Sequence, residues 1–251
     1  MHNILVLGGT QGATQLVQAL AQQGLRATLS YAGRVARPRA QPVPVRSGGF
    51  GGPEGLAHYL QDHAITHLID ATHPFAEQIS RNALQAARAT GTPLIALTRP
   101  AWTPGPGDDW THVPDIAGAV AALDRRPERI LLAIGRMHLA AFAPRPQHHY
   151  LLRLVDPPDA PPPLPDHHII VDRGPFTPQA ETALLQTHRI TRIVSKNAGG
   201  TGAQAKLTAA RALHLPVIMI DRPALPARPE ATEIPDILDW LHRKASPVQT
   251  R

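Results

Sequence analysis

Cysteine is absent from the 251 residues of this chain, which excludes disulfides, thiolate metal sites and cysteine nucleophiles. No apolar run approaches the roughly 18 residues that read as a membrane-spanning helix. Met1-His2-Asn3 leads straight into an apolar segment, without the basic and apolar regions of a signal peptide. We therefore expect a cytoplasmic protein that makes no contact with a membrane.

Acidic residues are also missing from the start of the chain, where the first is Glu54. Five arginines precede it, namely Arg26, Arg34, Arg37, Arg39 and Arg46. A bias in genomic base composition would enrich arginine as well, but a fixed positive field at one end favours an anionic ligand. Nucleic acid is the first anionic ligand to consider. Aromatic residues make up only 4% of the chain and no RNP, KH or zinc-finger pattern is present. We therefore expect a small polyanion and no nucleic acid.

The first part of the chain alternates short apolar runs with longer helical patterns. This alternation predicts βαβ units and a parallel sheet covered on both faces. The predicted strands are 3–8, 27–32, 44–47, 67–72 and 93–99, and the predicted helices are 13–23, 53–63 and 76–90.

The second part repeats the same alternation beyond a stretch rich in proline and glycine. The predicted strands there are 129–135, 149–155, 168–172, 192–196 and 216–221, and the predicted helices are 115–124, 178–188, 202–214 and 234–244. We expect an α/β protein of two Rossmann-like domains with parallel sheets and a cleft between them. The expected domains are 1–100, which binds a dinucleotide, and 113–251, which binds the substrate, with a linker at 101–112.

A glycine-rich turn, Gly8-Gly9-Thr10-Gln11-Gly12, follows the first predicted strand and opens a helix. Glycines allow the backbone to approach a pyrophosphate, and the helix start offers free N–H groups. The pattern departs from G-x-G-x-x-G because Thr10 occupies the third position and Ala13 the sixth. Alanine is accepted at the last position, and the hydroxyl of Thr10 has the chemistry to donate to a phosphate. The alternative is a strand–helix turn that merely needs glycine.

The end of the second predicted strand indicates which dinucleotide is bound. An NAD enzyme usually has an acidic residue there for the ribose 2′-hydroxyl. The sequence Ser30-Tyr31-Ala32-Gly33-Arg34 has none and provides an arginine nearby. This pattern favours NADPH over NADH, and it argues against S-adenosylmethionine.

Several other chemistries have no support in the sequence. No glycine immediately precedes a lysine, so a Walker A loop is missing. The Tyr-x-x-x-Lys pair and the G-x-S-x-G elbow are missing too. The adjacent pairs His148-His149 and His167-His168 would point apart on a strand, so we expect no metal site.

Several further segments have residues chosen for backbone shape or charge. The most specific is Asp-Ala-Thr-His-Pro-Phe-Ala at 70–76. The others are Gly8-Gly9-Thr10, Gly48-Gly49-Phe50-Gly51-Gly52, Arg99-Pro100-Ala101-Trp102, Gly135-Arg136, Gly174-Pro175-Phe176, Ser195-Lys196-Asn197-Ala198-Gly199-Gly200, Lys206 and Arg222-Pro223. Together these segments resemble the precorrin-6A reductase family of cobalamin biosynthesis. One departure is Ala198, where that family often has serine.

The resemblance, which covers about 3–223, implies a reaction and a set of site residues. In that family NADPH delivers hydride to one carbon–carbon double bond of precorrin-6A, a tetrapyrrole with many carboxylates, and gives precorrin-6B. His73 would be a proton donor near the nicotinamide, and the alternative is a histidine locked by hydrogen bonds. Asp70 would be a structural hydrogen-bond acceptor, and the alternative is an acid catalyst. The cofactor residues would be Gly8, Gly9, Thr10, Gln11, Ser30, Gly33, Arg34, Gly48, Gly49, Thr72 and His73. The residues holding substrate carboxylates would be Arg99, Arg136, Lys196, Asn197, Gly199, Gly200 and Lys206, with ion pairs inside the domain as the alternative.

Three alternatives to this interpretation stay open. One is the cobalt-containing substrate of a related reductase. Another is a different NADPH-dependent reductase or epimerase of an acidic small molecule. The third is a sensor that binds NADPH without catalysis. The sequence is compatible with a monomer or a small homo-oligomer.

Overall fold

The structure, a computed structural model, describes residues 2–32, 40–158, 160–172, 174 and 176–243. The chain divides into two units, and the first combines Met1–Arg99 with the C-terminal segment that begins at Ala224. The second unit is the continuous segment Pro100–Pro223.

The first unit contains a six-stranded parallel sheet with the order β12-β5-β4-β1-β2-β3. Its interior strands are almost entirely apolar, as expected for a sheet covered on both faces. Its strands are β1 (Asn3–Leu7), β2 (Arg26–Tyr31), β3 (Val45–Ser47), β4 (His67–Asp70), β5 (Leu94–Leu97) and β12 (Glu230–Ala231). Its helices are α1 (Gln11–Gln22), α2 (Gly52–Asp62), α3 (Glu77–Thr90) and α7 (Ile234–His242).

The second unit contains another six-stranded parallel sheet, with the order β6-β11-β10-β7-β8-β9. Its strands are β6 (Trp110–Val113), β7 (Arg129–Ala133), β8 (His149–Leu154), β9 (His167–Val171), β10 (Arg192–Lys196) and β11 (Val217–Ile220). Its helices are α4 (Ile116–Ala121), a 3₁₀ helix (Arg136–Phe142), α5 (Pro178–Thr187) and α6 (Ala205–Ala212).

The first sheet has the 3-2-1-4-5-6 strand order of dinucleotide-binding folds, with β12 as its sixth strand. The second sheet repeats this arrangement with β7 to β11 in the first five places, but its last place is taken by β6, which precedes them in the chain. β6 follows β5 along the chain but pairs with β11, and β12 follows β11 but pairs with β5. The direction of strand order reverses beside β1 in the first sheet and beside β7 in the second. Ligands of open α/β folds bind at the carboxyl ends of strands at such a reversal.

Two apolar layers cover the first sheet. On one face, α1 and α7 pack through Leu16, Leu20, Ile237 and Leu241, all of which are fully or almost fully buried. On the other face, α2 and α3 pack against the sheet through residues such as Leu56. In α1 the buried positions recur every three to four residues, so one side of the helix faces the sheet.

The structure confirms the expected α/β class and the two parallel sheets, and it corrects the expected boundaries. The segment from Ala224 was expected in the second domain, but β12 pairs with β5 and α7 packs against α1. The expected linker at 101–112 includes the first residues of β6, which pair with β11. Neither edge strand has a sequence signal, because β12 is two residues long and β6 follows a proline- and glycine-rich stretch.

Among the described residues, no helix combines the length and apolar character that crossing a membrane requires. In the same part of the chain, no group of three or more His, Cys, Asp or Glu side chains is placed to hold a metal ion.

Candidate active site

The turn after β1 favours glycine at two positions, at Gly8 because of close packing and at Gly9 because of its backbone angle. The N–H of Gly8 donates to the carbonyl of Ser30 at 2.9 Å. A Cβ atom on Gly8 would lie 2.5 Å from Cδ1 of Leu29. Gly9 has a φ angle of +114°, a region that side chains disfavour. Both glycines are therefore explained by the path of the backbone, which ends at the N-terminus of α1.

Thr10 caps α1 and ties it to the neighbouring strand end. Its hydroxyl oxygen accepts from the N–H of Ala13 at 3.1 Å, and its proton goes to the carbonyl of Ala71 at 2.8 Å. In this structure the hydroxyl proton is directed to Ala71, and the expected contact of Thr10 with a phosphate stays a prediction. The first N–H groups of a helix have no intrahelical acceptor. The N–H groups of Gln11 and Gly12 are therefore the donors that α1 offers to an anion.

Arg46 was not predicted as a site residue. It contacts the start of the glycine-rich segment Gly48–Gly52 that follows β3. Its Nη1 donates to Oγ of Ser30 at 2.8 Å and to the carbonyl of Gly48 at 3.0 Å. Its Nη2 donates to the carbonyl of Gly49 at 3.1 Å. Its guanidinium carbon lies 3.8 Å from the centre of the Phe50 ring. The predicted cofactor residues Ser30, Gly48 and Gly49 are thus brought together by one arginine.

The end of β2 carries no carboxylate, since its last residues are Ser30 and Tyr31. Gly33 and Arg34, the other residues predicted to face a 2′-phosphate, lie outside the described residues. Their contact with the cofactor stays a prediction.

Asp70, the last residue of β4, is a buried carboxylate with four donors. Thr72 donates from its N–H at 3.1 Å and from its hydroxyl at 2.6 Å to Oδ1. Ser80 donates at 2.6 Å and Arg228 at 2.5 Å to Oδ2. Asp70 is only 2% exposed, so a cation and full hydrogen bonding are needed to hold its charge. It acts as a structural acceptor, and the hydroxyl proton of Thr72 is engaged by it.

His73 follows Thr72 at the carboxyl end of β4 and is half-buried. Its Nδ1 accepts the N–H of Phe75 at 3.2 Å, and its carbonyl accepts the N–H of Ala76 at 2.7 Å. A nitrogen that accepts carries no proton, so the ring is assigned the tautomer with hydrogen on Nε2. The Nε2–H is therefore the group through which His73 can donate.

The second unit brings two predicted substrate residues to one edge of its sheet. β7 and β10 are parallel neighbours, with Ala133 opposite Ser195. Arg136 and Lys196 therefore follow adjacent strand ends at the reversal of strand order. Arg136 is exposed and Lys196 is half-buried. Arg99 follows β5 of the first unit, where burial lowers its pKa without removing the charge of a guanidinium.

Asn197 holds a loop in place and is not a free donor for substrate. Its Oδ1 accepts the N–H of Trp102 at 2.8 Å, and its Nδ2 donates to the carbonyl of Trp102 at 2.9 Å. The indole N–H of Trp102 donates to the carbonyl of Gly200 at 2.7 Å. A Cβ atom on Gly199 would lie 2.2 Å from the carbonyl oxygen of Pro100. Both ends of this amide therefore pair with backbone, and its predicted contact with a substrate carboxylate stays a prediction.

Lys206 is likewise enclosed, with 5% of its surface exposed. Its Nζ donates to the carbonyl of Ala203 at 2.6 Å and lies 4.8 Å from the centre of the Trp102 ring. Burial, with a smaller contribution from the Arg153 guanidinium, lowers the pKa of Lys206 to about 7, and Glu181 opposes the shift. In this structure Lys206 makes a buried contact beneath Trp102, and its contact with a substrate carboxylate stays a prediction.

Comparison with known proteins identifies the family of the chain. A family profile described as "Precorrin-6x reductase CbiJ/CobK" matches residues 3–242. The chain belongs to this family. It is 56% identical over 241 residues to precorrin-6A reductase of Rhodobacter capsulatus, covering 96% of both chains. It is 47% identical over 243 residues to precorrin-6A reductase of Rhodococcus erythropolis, covering 96% of this chain and 98% of the other.

Two further similarities bear on the fold and on the substrate of this precorrin-6x reductase. A solved structure of CobK precorrin-6A reductase superposes with a TM-score of 0.92 at 56% identity, covering 96% of both chains. A cobalt-precorrin-6A reductase of Priestia megaterium is 30% identical over 237 residues, covering 88% of this chain and 91% of the other. The resemblance found in the sequence is thus confirmed.

As a precorrin-6x reductase, the chain is an oxidoreductase acting on a CH–CH group and needs a nicotinamide cofactor. The first unit has features that fit a nicotinamide cofactor. The turn at Gly8 and Gly9 brings the backbone close, and Gln11 and Gly12 present N–H groups at the positive end of α1. Within the part of the chain that the structure describes, a Cβ atom added to Gly9 would meet no other atom within 4 Å, so the space beside this glycine is open.

Proposed function

We propose that this chain reduces precorrin-6A to precorrin-6B with NADPH. The observation that carries the proposal is the 56% identity to a precorrin-6A reductase over 96% of both chains. The 30% identity to a cobalt-precorrin-6A reductase is much lower, so the metal-free substrate is favoured.

NADPH, when bound, supplies a hydride to one carbon–carbon double bond of the macrocycle and leaves as NADP⁺. The N–H groups of Gln11 and Gly12 hold the pyrophosphate at the start of α1. Arg34, with Ser30 and Gly33, faces the adenosine 2′-phosphate. Gly48 and Gly49 pass beside the cofactor, and Thr72 and His73 lie beside the nicotinamide.

Substrate carboxylates are held by Lys196 and Arg136 of the second unit and by Arg99 of the first. Position and electrostatic field are what the protein contributes to a hydride transfer. A proton must also reach the carbon next to the one that accepts hydride. We assign its donation to Nε2 of His73, whose Nδ1 is engaged by Phe75. A cytoplasmic location and a monomeric or small homo-oligomeric state belong to the same proposal.

One assay tests the reaction against its alternatives. Loss of the reduced-nicotinamide absorbance with precorrin-6A, and a product heavier by two hydrogens, are the expected results. A generic reductase or an NADPH sensor would leave precorrin-6A unchanged, and that outcome would refute the proposal. Faster turnover of the cobalt-containing substrate would show that the chain acts as a cobalt-precorrin-6A reductase.

Two variants test the binding roles. Arg34→Ala should weaken the binding of NADPH more than the binding of NADH. Equal effects on both would show that Arg34 does not contact the 2′-phosphate. Lys196→Ala should raise the KM for precorrin-6A and leave the affinity for NADPH unchanged. A selective loss of NADPH binding would place Lys196 at the cofactor.

A further inference from the structure

Arg46 is a fixed cation with no carboxylate partner among the residues the structure describes. Three of its N–H groups point to neutral acceptors, namely Ser30 Oγ and the carbonyls of Gly48 and Gly49. Its guanidinium stacks on Phe50 at 3.8 Å and lies 5.2 Å from the Tyr59 ring. Stacking and hydrogen bonds hold the orientation of the guanidinium, but nothing described neutralises its charge.

A count of donors shows which N–H groups of Arg46 have no acceptor among the described contacts. A guanidinium has five N–H groups. Two of them, on Nη1, serve Ser30 and Gly48, and one on Nη2 serves Gly49. The Nε–H and the second N–H of Nη2 remain. Together they form the edge with which arginine binds a phosphate in bidentate fashion.

The position of Arg46 in the sheet matches the adenosine end of a bound dinucleotide. Leu7, Ser30 and Arg46 lie opposite one another in β1, β2 and β3. Gly8, which begins the pyrophosphate turn, donates to the carbonyl of Ser30. Arg46 is thus about two strand spacings, or about 10 Å, from the end of β1. The ribose of a dinucleotide is read at the end of the second strand, next to this position.

We propose that Arg46 determines the preference for NADPH over NADH by binding the adenosine 2′-phosphate with its Nε–Nη2 edge. This assignment rests on the proposed use of NADPH. It differs from the role of Arg34, because Arg46 is fixed by β3 and by its stacking on Phe50. The missing carboxylate at the end of β2 removes a competing partner for the same arginine.

Binding of two small probes to the full chain tests the proposal without precorrin-6A. The probes are 2′,5′-ADP, which has the 2′-phosphate, and ADP, which lacks it. We expect Arg46→Gln to raise the Kd of 2′,5′-ADP about 10-fold or more, the loss typical of a charged hydrogen-bonded pair. The Kd of ADP should change less than about threefold and thereby reports an intact nucleotide site. Arg46→Lys keeps the charge without the fork and should lose an intermediate amount.

A matched control is Arg26→Gln, an exposed arginine at the opposite end of β2. It should change neither Kd. Equal weakening of both probes by Arg46→Gln would mean that Arg46 only supports the loop, and an unchanged preference would also overturn its role. A wild-type protein that binds the two probes equally would refute the proposed use of NADPH itself, and the role of Arg46 with it.

Discussion

His73 is the proposed proton donor through Nε2, and its Nδ1 accepts a hydrogen bond from the N–H of Phe75. His73→Asn keeps an acceptor near the position of Nδ1 for the N–H of Phe75 but removes Nε2. We expect kcat to fall about 100-fold, the lower end of what general acid catalysis contributes. The KM for NADPH should change much less, because the proposed contacts to the pyrophosphate and the 2′-phosphate, which carry the charge of the cofactor, are kept. Steady-state rates with precorrin-6A measure both quantities.

The complementary variant separates chemistry from loop structure. His73→Gln places a polar group near Nε2 and leaves the N–H of Phe75 without its acceptor. If kcat falls for His73→Gln while His73→Asn keeps the wild-type rate, His73 is a loop residue and the proton comes from elsewhere.

Lys206 makes the stability of the second unit depend on pH. Its pKa is lowered by burial from 10.5 to about 7, so the unfolded chain binds the proton more tightly. The free energy of unfolding therefore rises as pH increases from about 7 towards 10.5. Lys206→Met removes this dependence. We expect its stabilisation relative to wild type to be roughly 2–3 kcal/mol larger at pH 6 than at pH 9.

Urea denaturation at the two pH values measures this difference. Arg88→Met, which replaces an exposed cation on α3, is the control and should not change the pH dependence. A Lys206→Met variant with the wild-type pH dependence would show that the amine stays charged in the folded protein.

At this scale the sequence predicts backbone requirements better than side-chain partners. The turn at Gly8 and Gly9 was predicted from the sequence, because close packing and a positive φ angle both favour glycine and so are visible as glycine residues. The pairing of Asp70 with Arg228 was not predicted, since 158 positions separate them. Arg46 was missed because a lone arginine before a glycine run has no distinctive pattern.

At the scale of the element, Thr10 links the start of α1 to the residue after β4. Thr10→Ala removes the helix cap and the hydrogen bond to Ala71. We expect a loss of about 2 kcal/mol, with about 1 kcal/mol from each contact. Thr177 provides a matched control, because its exposed hydroxyl only caps α5. Thr177→Ala should cost about 1 kcal/mol.

Thermal and urea denaturation of both variants measure these losses. Thr10→Ser should retain most of the stability. Equal costs for Thr10→Ala and Thr177→Ala would mean that the bond to Ala71 contributes nothing.

Most elements were predictable, and those that were missed, β6, β12 and the 3₁₀ helix, are short. α5 begins at Pro178 as expected, since proline favours the first turn of a helix. α1 begins at Gln11, two residues before the expected start, because Thr10 provides the cap. The 3₁₀ helix Arg136–Phe142 was missed, as its seven residues are too few to show a period.

At the scale of the whole molecule, the continuous second unit and the interrupted first unit should differ in their ability to fold alone. We expect a fragment of residues 100–223 to unfold cooperatively, because it contains all six strands of its sheet. A fragment of residues 1–99 should not, because it lacks β12, α7 and Arg228, the ionic partner of Asp70. Circular dichroism during urea titration of each fragment measures this.

Adding residues 224–251 as a separate peptide should restore cooperative unfolding to the fragment 1–99. A fragment 1–99 that folds without the peptide would show that β12 and α7 are dispensable, and failure of 100–223 would show that it depends on the first unit.

The late position of β12 and α7 in the chain affects the order in which the two sheets are completed during translation. The second sheet is complete once residue 223 has emerged, but the first must wait until β12 and α7 have been synthesised. Until then, the growing polypeptide has an uncovered edge at β5, the kind of strand edge that recruits other chains. The part that emerges first is therefore the last to mature, and a chaperone acting on this nascent protein would be needed at its N-terminal half.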